Sequence, residues 1–184
     1  MEIHEIFSKL STQMLIGFMT HEDLSKYFDF LNLKGYKRME EYHAKEEMKG
    51  YKKLHHYYIS RYNKLIPETK FEAPEIIPAK WYEHTKQDVD INTKRTSVKE
   101  AFKKWVKWES DTLKLYQKMY SELVAHGEIE TSLKIGKYIK NVSEELKRAQ
   151  SMLINLESVD FAMDCILDVQ QQLHDEFKEK VKEQ

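Results

Sequence analysis

Three glutamates, Glu47, Glu109 and Glu145, each fall inside a stripe of residues at helical spacing that is otherwise largely apolar. Around Glu47 the stripe reads Tyr36, Met39, His43, Gly50, Leu54, Tyr58 and Leu65, and around Glu109 it reads Phe102, Trp105, Leu113 and Tyr116. A carboxylate turned into a helix-bundle interior costs on the order of several kcal/mol unless a cation or a proton compensates it. Three of them on three separate helices therefore make a candidate site for a divalent metal ion, for which oxygen donors are suited. The pattern Glu40-x-x-His43 on the Glu47 stripe could add an imidazole, although a hydrogen-bonded core or boundary role is the commoner one for such a histidine.

Four long helical patterns must position these side chains. The first, over 1–30, carries Ile3, Ile6, Phe7, Leu10, Met14, Phe18, Leu24 and Phe28 on one face, and it is interrupted by Asn32 and Gly35. The second is expected over 36–65. All three prolines, Pro67, Pro74 and Pro78, then fall in a stretch near 66–96 that reads as a crossover pinned by Trp81 and Tyr82. A third helix is expected over 97–125, ended by His126-Gly127, and a fourth over 130–156. Asp160 reads as the N-cap of a shorter fifth helix over 160–180, with Phe161, Cys165, Val169, Leu173 and Phe177 inward. The expected fold is all-α: a single domain over 1–184, with two helix pairs joined by one long crossover and a short C-terminal helix. That is the ferritin-like version of the four-helix bundle.

The 184 residues suffice for one packed core. Thirty basic against 31 acidic side chains leave a net charge of −1, which argues against a nucleic-acid-coating surface. The single Cys165 excludes an internal disulfide and suits a reducing compartment. No apolar run approaches the ~20 residues of a membrane span, and MEIHEIFSKL has no signal-peptide character, so a soluble cytoplasmic protein is expected.

Four segments carry a closer resemblance. KLSTQM at 9–14, KEEMKGYKKL at 45–54, WVKWESDTLKLYQKMYSEL at 105–123 and SEELKRAQSML at 143–153 resemble the four bundle helices of bacterial non-haem ferritins. The resemblance implies that Glu47 takes the place of the metal-bridging carboxylate, and that Glu109 and Glu145 take the ligand places of the third and fourth helices. Glu46 and Glu144 fall where some bacterial ferritins hold an accessory third iron, though Asn141 departs from a further acid there. The first-helix glutamate is replaced by Gly17 and the second-helix histidine by Gly50. One of the two iron sites thereby loses two protein ligands, so Fe(II) oxidation by O2 is expected to be weak or absent.

The resemblance further implies iron (Fe2+/Fe3+) as the bound metal, storage of iron as the function, and a homo-oligomeric cage of 24 subunits around whose four-fold axis the fifth helix packs. Haem is not expected, since Met48 stands where both haem-binding and non-haem relatives carry methionine. Glu128 and Glu130 fall near the position of the acidic three-fold channels, or are ordinary helix-end charges. Two other functions fit parts of the sequence: a mini-ferritin protecting DNA against oxidative stress, and a metal-free structural bundle.

Overall fold

The computed structural model describes residues 1–67, 85–86 and 89–180. Five helices account for nearly all of them: α1 (Ile3–Phe30), α2 (Lys34–Tyr62), α3 (Ile91–Ala125), α4 (Ile129–Ser158) and α5 (Met163–Lys180). No strand occurs among the described residues, as the composition and the 3.6-residue periodicity predict. The pair α1/α2 packs against the pair α3/α4 mainly through α1 and α3, and α5 lies along α2.

Three of the helix ends use one device. After α1, α3 and α4 the chain enters the left-handed region at Asn32 (φ 59°), Gly127 (φ 72°) and Asp160 (φ 46°). The next amide then closes back on the helix: Leu33 N donates to Phe28 O at 2.8 Å, Glu128 N to Leu123 O at 2.9 Å, and Phe161 N to Leu156 O at 2.7 Å. This is the Schellman arrangement, which satisfies the carbonyls a helix end leaves open. In two cases it also drives the following apolar residue into the core, because Leu33 and Phe161 are both buried.

Asp160 therefore terminates α4 and does not cap α5. The Ala162 carbonyl accepts from Ile166 N at 3.0 Å and starts α5 two residues later than expected. Aspartate is favoured both at N-caps and at left-handed positions, and the sequence around Asp160 fits either. The inward face of α5 shifts accordingly: Ile166, Leu173 and Phe177 are buried, while Cys165 and Val169 are only partly so.

Other boundaries move as well. Asp90 caps α3 by accepting from Thr93 N at 2.6 Å, so α3 starts six residues before Ser97. Residues 91–96 carry no apolar stripe, which is why periodicity passes over them. α2 begins at Lys34 and stops at Tyr62, with Asn63 left-handed, and Leu65 is 77% exposed instead of inward. Of the crossover, the proposed anchors Trp81 and Tyr82 lie outside the described residues.

The interior divides into two apolar cores. One, built around Leu24, Phe28, Tyr36, Phe102 and Trp105, is completed by Phe161, Ile166, Leu173 and Phe177 from α5 and its approach. Gly35 makes this possible: a Cβ there would sit 1.9 Å from the Gln170 carbonyl oxygen, so the backbones of α2 and α5 touch. The other core gathers Ile6, Phe7, Leu10, Met14, Leu54, Tyr116, Met119 and Ile135. Between the two cores lies a polar belt.

Candidate metal centre

The belt draws side chains from all four bundle helices, three of them from α2. On α3, Glu109 is 1% exposed and accepts a 3.0 Å hydrogen bond from the Trp105 Nε1–H one turn earlier. On α1, fully buried His21 places Nδ1 2.7 Å from Glu40 Oε2 of α2, itself 1% exposed. The other nitrogen, His21 Nε2, lies 3.8 Å from Glu109 Oε1 and makes no hydrogen bond. On α2, His43 stacks on His21 with ring centroids 5.3 Å apart, and its Nδ1 lies 3.2 Å from Glu145 Oε1 of α4. That distance makes an ion pair, but the contact is not aligned as a hydrogen bond and both ring nitrogens of His43 lack one.

Glu47 is partly buried one turn further along α2 and leans on α1. A Cβ added at Gly17 would come within 3.0 Å of Glu47 Cδ, so the Glu47 carboxyl occupies the ground a first-helix side chain would use. Gly50 is different. A Cβ there would meet Met14 Sδ and Tyr138 Cε1 at 3.6 Å, which is ordinary contact. It borders a cavity of about 100 Å3 whose walls include Glu47, Tyr116, Tyr138 and Glu145.

The electrostatics separate the three glutamates. Burial pushes Glu47 up to about 8, and the Glu145 and Glu46 charges add to it. Glu109 is likewise raised to about 8, by burial first and then by Glu145, against the opposing pull of His21 and the Trp105 hydrogen bond. Burial works on Glu145 in the same direction, but pairing with His43, with His21 and Arg148 beyond it, outweighs burial and lowers its pKa. For His43 burial disfavours the imidazolium, yet Glu145 and Glu40 raise its pKa. The belt thus mixes protonated acids with one ion pair near neutral pH.

Glu47, Glu109 and Glu145 thus stand near enough to shift one another's ionisation. Among the described residues, however, no three histidine, cysteine or acidic side chains are arranged to hold an ion as they stand. Glu46 and Glu144 lie at the rim, 3.1 Å from Lys49 and 3.8 Å from Lys140, and share a cavity of about 310 Å3 with Asn141 and Glu145. Met48, on the same turn of α2 as Glu47, is partly buried.

Glu128 and Glu130 are both engaged by Arg61. Its Nη2 donates to Glu128 at 3.0 Å and its Nη1 to Glu130 at 2.8 Å, while Tyr62 also donates to Glu128 at 2.9 Å. Within this chain the two acids therefore share one guanidinium, which offsets one of their two charges.

Sequence reasoning missed His21 and the partner role of Glu40. The signal lay across two helices and not within one. α1 and α2 run antiparallel, so one turn forward from Gly17 and one turn back from Glu47 bring His21 opposite His43.

No protein-family profile matches the sequence, and no curated protein does. Solved structures do. The open-pore ferritin of the hyperthermophilic archaeon Archaeoglobus fulgidus superposes with a TM-score of 0.73 at 16% identity, covering 92% of this chain and 92% of that one. Apo-ferritin from Pseudo-nitzschia multiseries gives 0.72 at 12% identity over 92% of this chain and 96% of that one. A humanized archaeal ferritin gives 0.70 at 16% identity, covering 94% and 97%. With identities this low the likeness is one of architecture, and it agrees with the five helices: the chain has the ferritin fold.

Proposed function

We propose that this chain is a ferritin-type subunit that sequesters iron as its cargo, assembles with copies of itself into a 24-subunit shell, and oxidises Fe(II) poorly. Glu47, Glu109 and Glu145 are the carboxylates that receive the ion, with Glu46, Glu144 and Asn141 lining its approach. The observation that carries the reading is the set of three glutamates from three helices in one belt, two of them held near 8 by burial and by one another. A divalent cation would relieve that repulsion by displacing the protons. Structures of the Pseudo-nitzschia multiseries ferritin have been obtained after soaking in iron, which fits a shared cargo.

Weak oxidation follows from Gly17 and Gly50. Transfer of one electron from each of two Fe(II) ions to O2 requires both ions to be held close together, and neither glycine offers a donor atom. Purified protein loaded anaerobically with Fe(II) and then exposed to air is expected to oxidise it far more slowly than an intact ferritin. The double variant Gly17→Glu/Gly50→His should accelerate it. A rate for the unaltered chain equal to that of an intact ferritin would sink the reading of impaired oxidation while leaving storage in place.

A metal-free structural bundle is the second reading, favoured by the His43–Glu145 ion pair, which compensates one partly buried carboxylate without a metal. Metal analysis together with electron microscopy separates the two. Iron-bearing hollow shells support storage, and metal-free monomers support the bundle.

A further inference from the structure

The belt holds a second group of donors that the three-glutamate reading does not use. His21 is 0% exposed and His43 4%, and together they present three ring nitrogens with no hydrogen-bond partner. A buried imidazole ordinarily satisfies its polar atoms. Two of the three face carboxylates: His21 Nε2 lies 3.8 Å from Glu109 Oε1, and His43 Nδ1 lies 3.2 Å from Glu145 Oε1. Two donors on one tetrahedral ion, with bonds of about 2.1 Å, sit about 3.4 Å apart. Both pairs fall around that spacing.

The outer side of His21 is also arranged for a metal. With Nδ1–H donating to Glu40 Oε2 at 2.7 Å, Nε2 keeps its lone pair toward Glu109. A carboxylate that fixes tautomer and ring orientation in this way is the usual support of a metal-bound histidine. Glu40-x-x-His43 then places the orienting acid and the second imidazole one turn apart on α2.

We infer that His21 and His43, with Glu109 and Glu145, form a site for a divalent transition-metal ion, one helical turn along the bundle from Gly17 and Glu47, with Glu40 orienting the His21 ring. Among the described residues no three donors yet surround one point, so the ion binds by drawing the two His–Glu pairs together. Imidazole donors select borderline ions such as Co2+ or Zn2+ over Mg2+. The site does not depend on iron storage, and it differs from the carboxylate set in needing the two histidines and in not needing Glu47.

Titration of the full chain with Co2+, followed calorimetrically and by its visible spectrum, tests this. The unaltered chain should bind Co2+, with Mg2+ failing to compete. His21→Gln and His43→Gln should each weaken binding at least tenfold, Glu40→Gln about tenfold, and Glu47→Gln and the control His55→Gln by less than twofold. Anomalous scattering from a Co2+-soaked crystal of the unaltered chain, which needs no variant to fold, should place the ion at the ring edges of His21 and His43, beside Glu109 and Glu145. Unchanged Co2+ binding in both histidine variants with loss in Glu47→Gln would overturn the inference and leave the carboxylate reading intact. An unaltered chain that binds no Co2+ would overturn it as well.

Discussion

The two ends of the bundle are made from the same kind of apolar stripe yet finished differently. At the α5 end, backbone touches backbone at Gly35 and Gln170, Tyr36 Oη donates to the Ile166 carbonyl at 3.1 Å, and Phe177 is 1% exposed. At the other end α2 and α4 leave a cavity of about 990 Å3 between them, bordered by Leu54, Tyr57, Ile135 and Tyr138. Lysines line it: Lys52, Lys53, Lys134, Lys137 and Lys140 stand around the opening, and Lys134 Nζ sits 3.8 Å from the Tyr57 ring centroid. Long lysine stems can shield apolar surface while the ammonium stays in water, partly in the cation–π geometry seen here. A fifth helix and a lysine fringe are two solutions to one problem, and only the first demands close fit.

That contrast can be broken at its glycines. Gly35→Ala should have the largest effect, since its Cβ would fall 1.9 Å from a carbonyl that cannot move without α5. A loss of about 3 kcal/mol or more is expected in denaturant unfolding, together with exposure of α5 to proteolysis. Wild-type stability in this variant would mean that α5 is not docked as described.

The belt between the ends should respond next, through pH. Glu47 and Glu109, raised from 4.5 to about 8, bind protons in the folded state that the unfolded chain has already released. Metal-free stability should therefore decline as pH rises from about 4.5 to about 8 and level off above that. Glu145 works the other way: its lowered pKa contributes stability that disappears only as pH falls through its folded value. Glu109→Gln keeps an oxygen for Trp105 and cannot ionise, so its unfolding curve should be flatter and higher by on the order of 2 kcal/mol near about pH 9. An unchanged slope would show that Glu109 is not the titrating group.

The smallest effect is expected at the open end. A Cβ on Gly136 would meet only Tyr120 Cε2, at 3.8 Å. Gly136→Ala lies within α4 and should stabilise the protein by about 0.5–1 kcal/mol through helix propensity. Thermal unfolding measured beside Gly35→Ala would give opposite signs for the same chemical change, and a shared sign would remove the distinction between the two ends.

Much of the architecture was legible because each helix carries its own apolar stripe, and the stripes of α1 to α4 needed no partner to be recognised. The misplaced boundaries have local causes. Residues 91–96 form helix on the strength of the Asp90 cap without burying a stripe, and Asp160 is of a type that suits a cap and a left-handed turn alike. The belt was half legible. Glu109 and Glu145 stand out against apolar neighbours within one helix. His21 gains its meaning only from the α1/α2 register that sets it against Glu40 and His43, and periodicity along a single helix holds no information on register between two.

The position of Glu47 against Gly17 has a further consequence, for what each of the two glycine positions can accept. A histidine at Gly50 enters space beside Met14 and Tyr138, whereas any side chain at Gly17 must first displace the Glu47 carboxyl. Adding a side chain at these two glycines is thus not symmetrical. The α2 step meets only ordinary contacts, whereas the α1 step requires the Glu47 carboxyl to give way by a few tenths of an ångström. The same asymmetry favours keeping position 17 small: with Glu47 settled on it, the neighbouring helix itself disfavours a larger side chain there.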